Sequence, residues 1–190
     1  PAFRPFVGGL IVIALVHLLG TREHLGLGVH PPRDEDASIV TAFQPGGASP
    51  WSWWWKIVFT AVTIGSGFKG GEVTPLFFVG ATLGNSLAGP LGVPVDLLAG
   101  IGLVAVFAGA TNTPIACTLM GVELFGVEYA AYLAVACFVA FLCSGRAGIY
   151  QSQRVGRKVG RLGVPPHTTL REIREARKGR ASREFTDRDA

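Results

Sequence analysis

Gly65-Ser66-Gly67-Phe68-Lys69-Gly70-Gly71-Glu72-Val73-Thr74-Pro75 separates two apolar runs, Trp51 to Ile64 and Leu76 to Leu87. Its glycines interrupt the backbone, and a helix is predicted to restart at once. Thr74 has the chemistry of an N-cap and Pro75 that of a first helical residue. Glycines at 65, 67, 70 and 71 let the chain turn without steric penalty and come close to a ligand. The N–H groups and positive dipole end of the new helix then face that ligand. A soluble phosphate-binding loop would carry Lys-Ser or Lys-Thr after its glycines; Glu72-Val73-Thr74-Pro75 follows here instead. The apolar flanks place the break at membrane depth, where irregular backbone survives only against a cavity.

Composition agrees with that placement. The 190 residues are 49% hydrophobic and only 16% charged, against about 25% charged in soluble domains. Most Lys and Arg lie after Gln151, so the middle of the chain is almost uncharged. These features describe a multi-pass membrane protein with a basic tail. Cys117, Cys137 and Cys143 lack metal or redox spacing and are expected to be small buried hydrophobes. Neither a His-Glu-x-x-His set nor a nucleophile–base pair is present, which argues against an intramembrane enzyme. No metal site and no cofactor is expected. The chain opens at Pro1-Ala2-Phe3 without a cleavable signal, and is expected to be a piece of a longer polypeptide.

Phe6 to Leu19 is predicted to be a membrane helix, with Gly8-Gly9 permitting close packing. Thr21 to Asp36 is turn-rich, and Pro31-Pro32 forbids a regular helix. His17, His24 and His30 are expected to be structural or loop residues. Ala37 to Phe43 is a short helical candidate. Trp51, Trp53, Trp54 and Trp55 have the composition of an interfacial aromatic belt, with Lys56 expected to snorkel there. Further helices are predicted from Thr74 to Leu87, from Leu97 to Ala110 behind Asp96, after Thr113-Pro114 through Leu124, and from Ala130 to Cys143. Several fall short of the roughly 20 residues a full span needs, the mark of discontinuous helices meeting inside a membrane. A last basic helix begins near Ser144–Tyr150. The juxtamembrane basic tail is expected to be cytoplasmic, to face lipid, and not to bind nucleic acid.

The motif and its order of landmarks resemble the second-half selectivity region of the CLC chloride channel and transporter family. The resemblance rests on Gly70-Gly71-Glu72-Val73-Thr74-Pro75, the apolar helix that follows with Gly84 near its end, the Thr113-Pro114 helix carrying Glu123, and Tyr150. It implies an all-α membrane fold: the second repeat of an inverted-repeat bundle with broken and re-entrant helices. Residues 1–150 would form the membrane half and 151–190 the last helix and tail. It also implies a homodimer whose gating glutamate belongs to the first half. Chloride-type members carry Ile-Phe-Ala before the motif's proline; Glu72-Val73-Thr74 resembles the fluoride-exporting branch, which exchanges fluoride for protons.

The resemblance therefore implies fluoride/proton antiport, with a chloride channel or chloride/proton exchanger as the nearest alternative. A non-transporting membrane interaction module is a distant one. Fluoride is small and tightly hydrated, so its site must replace water with strong donors. The expected anion ligands are the Val73 N–H and the Thr74 and Tyr150 hydroxyls. Glu72 is expected in proton coupling or the anion pathway, since a carboxylate at membrane depth is costly. Its structural alternative is helix capping or a pair with Lys69. Gly70, Gly71 and Pro75 form the helix-start loop. Glu123 is expected on a structural or dimer-facing helix.

Overall fold

The computed structural model describes residues 3–31, 33, 36–145, 148–150, 169, 171–172 and 175. Among them the chain forms α1 (Arg4–Leu19), α2 (Ser52–Gly65), α3 (Val73–Leu91), α4 (Val95–Thr111), α5 (Pro114–Phe125) and α6 (Ala130–Ser144), with 3-10 turns at Thr41–Phe43 and Val127–Tyr129. The all-α expectation holds. The helix expected across 37–43 shrinks to its last three residues. Ser38 and Thr41 there bond each other's backbone N–H at 3.0 and 2.8 Å, a side-chain alternative to helical bonding.

Lengths follow the sequence pattern. Val127–Ser144 is long and apolar enough to cross a membrane by itself, whereas α1, α4 and α5 are shorter apolar helices. The 12 residues of α5 reach about 18 Å at helical rise, well short of a bilayer core of about 30 Å. Thr113 and Pro114 start α5 as N-cap and first residue, without a side-chain cap bond. Pro90 falls inside the last turn of α3, which ends at Gly92 in left-handed conformation.

α4 is the central helix, touching α3, α5, α6 and the first 3-10 turn. Small residues make its contact with α3 a backbone contact. A Cβ on Gly84 would lie 2.7 Å from the Ala99 Cα, and Gly80 abuts the Gly102 carbonyl. The four-residue spacing of Gly80 and Gly84 puts both on one face, as in close-packed membrane helices. Buried Ala81, Leu103, Val104, Ala108, Cys117, Leu133 and Cys137 fill the space around it. Cys143 departs from expectation: it is exposed on α6. Asn85 extends the packing, donating from Nδ2 to the Ala42 and Gln44 carbonyl oxygens, both at 2.8 Å.

Because Gly84 meets backbone and not a movable side chain, it has no room to grow. Gly84→Val should cost more than the about 1–3 kcal/mol of ordinary overpacking. Thermal unfolding of the purified protein in detergent should show a lower midpoint or no folded peak; an unchanged midpoint would contradict the α3–α4 contact.

Candidate functional site

The break begins where α2 ends. Gly67 takes φ +90°, a conformation that excludes most side chains. A Cβ at Gly65, Gly70 or Gly71 would meet nothing within 4 Å. Only Gly67 of the four is therefore demanded by backbone conformation. α3 starts at Val73 with Glu72 as N-cap residue and no side-chain cap bond. This corrects the expected helix start: Thr74 is not the cap, and Pro75 is the third helical residue.

The correction changes the donors on offer. Pro75 has no N–H, and the Leu76 N–H bonds back to the Glu72 carbonyl oxygen at 3.3 Å. Val73 and Thr74 keep N–H groups that find no acceptor among the described residues. The neighbouring hydroxyls are committed. Thr60 and Thr63 each donate to a carbonyl one turn back at 2.7 Å, and Ser66 does so at 2.6 Å. Nothing among the described residues engages the hydroxyl of Thr74.

Two cavities flank the break. One, about 250 Å³, is lined by Ile57, Thr60, Glu72, Pro75, Leu76 and Ile149 among others. Ile149 is fixed by donating its N–H to the Ala110 carbonyl oxygen at 2.9 Å. That bond carries the segment after α6 to the foot of α3; the next residue, Tyr150, is exposed and lines neither cavity. Glu72 and Ile149 thus meet across one space, while Gly70 and Gly71 line the second cavity, described below. Glu72 and Lys69 are both exposed and form no ion pair with each other among the described residues. The terminal basic helix lies outside the described residues, and Glu123 is exposed on α5.

Lys56 overturns its sequence reading. Far from snorkelling, it is 1% exposed. Its Nζ donates to the carbonyl oxygens of His24 at 3.1 Å and Gly26 at 2.9 Å, and lies 4.8 Å from the centre of the Phe78 ring. No carboxylate pairs with it among the described residues. Two carbonyl dipoles and a ring face are what stabilise this ammonium. His24 is likewise buried, with Nε2 3.0 Å from Glu23 Oε1, and not an ordinary loop residue. Glu23 Oε2 accepts the Ala37 N–H at 3.0 Å. These bonds, that from His24 foremost, hold the Glu23 carboxyl below the usual carboxylate range although burial opposes them.

Comparison with known proteins places this geometry. Residues 1–145 match the model of the voltage gated chloride channel family, Voltage_CLC. The chain belongs to that family. It is 49% identical over 178 residues to the chloride/fluoride channel protein of Pseudomonas syringae pv. tomato, covering 90% of this chain and 38% of that one. It also resembles the crystal structure of a CLC-type fluoride/proton antiporter, with TM-score 0.67 and 37% identity over 76% of this chain and 35% of the other. The chain thus spans little more than a third of these relatives' length. Membership makes it an integral membrane chain and confirms the CLC-type helical fold.

Two measurements check the site's scaffold. Lys56→Met leaves two buried carbonyl groups without their donor, a loss of about 1–3 kcal/mol each at most. A thermal midpoint of the parent protein unchanged by that substitution would contradict the buried ammonium. For Glu23, the folded state favours the carboxylate, so its contribution is present above the ordinary Glu range and fades as pH falls through the lowered folded value. Glu23→Gln should flatten the acid limb of the stability profile; a profile identical to wild type would contradict the pair.

Proposed function

We propose that this chain is the second half of a CLC-type transporter that exports fluoride in exchange for protons. The observation carrying this reading is the start of α3. There Glu72-Val73-Thr74 offers two unpaired N–H groups and a hydroxyl that no other group among the described residues engages. Three uncommitted donors at a helix N-terminus suit a small, strongly hydrated anion. Glu72 stands on the adjoining cavity, in position to serve proton coupling or the anion path. Tyr150 supplies a further hydroxyl from the segment that Ile149 anchors. The names of the two relatives, a chloride/fluoride channel protein and a fluoride/proton antiporter, support fluoride over chloride.

In this reading residues 1–150 form the membrane half, and residues 151–190 a last helix and a cytoplasmic basic tail. The protein works as a homodimer in the cell membrane. Exposed apolar side chains on α5 and α6, among them Leu119, Leu124, Tyr132, Val135 and Leu142, give it a face to cover. A chloride channel or chloride/proton exchanger is the second reading, favoured by the family's description.

Exchanging Glu72-Val73-Thr74 for Ile-Phe-Ala in the full-length parent separates the two. The swap should cost at least about tenfold in fluoride-over-chloride preference, or about 1.4 kcal/mol, read as initial efflux rates from liposomes. An unchanged preference would remove the triplet from selectivity. Within the same assay, Glu72→Gln should lose proton movement coupled to fluoride, and wild-type coupling would sink the role given to Glu72.

A further inference from the structure

The second cavity, about 230 Å³, lies between the His24–Leu27 loop, the Thr60 and Thr63 face of α2, and Gly70, Gly71 and Pro75. The anion-site reading does not use it. His24 lines it and is 4% exposed, with its two ring nitrogens in unlike settings. Nε2 is held by Glu23 at 3.0 Å. Nδ1 is buried and has no hydrogen-bond partner among the described residues, a rare state for a buried polar atom. The other hydroxyls of the cavity are already spent on backbone carbonyls.

We propose that His24 is a proton-binding site of the transport machinery, taking up and releasing a proton at Nδ1 through this cavity while Nε2 stays bonded to Glu23. The inference rests on the proton-coupled reading of the function. With Nε2–H donated to the Glu23 carboxylate, the neutral ring keeps a lone pair at Nδ1. Nδ1 has no surface open to the cavity in the resting ring position, so uptake requires a tilt of the ring; hydronium then gives up its proton to form the Nδ1–H bond and leaves as water, and release is the reverse.

The groups around the ring oppose one another. Glu23, on the same loop, brings a carboxylate to Nε2. Lys56 of α2 brings an ammonium, 3.1 Å from the His24 carbonyl oxygen. Otherwise α2 and α3 present the Phe59 and Phe78 rings, with centroids at 5.5 and 6.5 Å. Glu72 stands on the neighbouring cavity, which shares Thr60, Ile64 and Pro75 with this one. A proton at Nδ1 is therefore one cavity away from the carboxylate at the break.

The test uses the full-length parent with ¹⁵N-labelled histidine, the His24 signals being those lost in His24→Gln. That substitution keeps an N–H donor for Glu23 but binds no proton. The Nδ1 resonance should move between unprotonated and protonated positions as the pH is varied while Nε2 stays protonated. In liposomes, His24→Gln should lower protons moved per fluoride by about tenfold or more. Wild-type coupling in a folded His24→Gln protein would overturn the proposal. A silent Nδ1 in a parent that moves protons overturns the role of His24 alone. A titrating Nδ1 in a parent without proton flux overturns both the coupling and the role.

Discussion

An ammonium held away from water by two carbonyl oxygens and an aromatic ring is the constraint on which this helical bundle depends. A charge at that depth is costly, so its surroundings must be built to receive it. Lys56 belongs to α2, its oxygen ligands to the loop after α1, and Phe78 to α3. One side chain therefore fixes three segments that share no continuous secondary structure. Gly28 completes the fit, with φ +73° and a Cβ position only 2.6 Å from the Phe78 ring. Phe78 lies three residues, most of a helical turn, beyond Pro75, so the lysine also sets where the first turn of α3 stands.

In the proposed function the break in the backbone acts through what it leaves unbonded. A capped helix start would have used its hydroxyl on its own backbone. Here the helix begins at Val73 without such a bond, Pro75 deletes one donor, and two N–H groups and the Thr74 hydroxyl remain. Donors fixed in place before an ion arrives need no reorganisation to replace its water. Cavities on both sides of the break are bounded by α2, so the Lys56 clamp and the site share one wall.

Periodic apolar runs and punctuation by Gly and Pro made the helices legible. α1, α2, α4, α5 and α6 fall within a few residues of their expected limits, and Thr113-Pro114 starts α5 as its chemistry demands. Glu72, Thr74 and Tyr150 were also visible as candidates, although the helix start moved by two residues and freed Thr74 from capping. The partners of Lys56 could not be read in the same way. They are main-chain carbonyls 32 and 30 residues upstream, and carbonyls carry no residue signature. A lysine after four tryptophans looks interfacial until the fold brings a loop over it. His24 was hidden for a related reason, since its burial comes from Phe59 and Phe78 on distant helices. Ile149 acts through a backbone bond that no side-chain pattern announces.

The most direct measurement is anion efflux from liposomes containing the full-length parent, fluoride against chloride, with proton movement recorded simultaneously. Fluoride efflux that drives proton uptake, with chloride flux far smaller, is the result this account predicts. Chloride flux equal to or larger than fluoride flux would contradict it and leave the chloride-type reading of the family in its place.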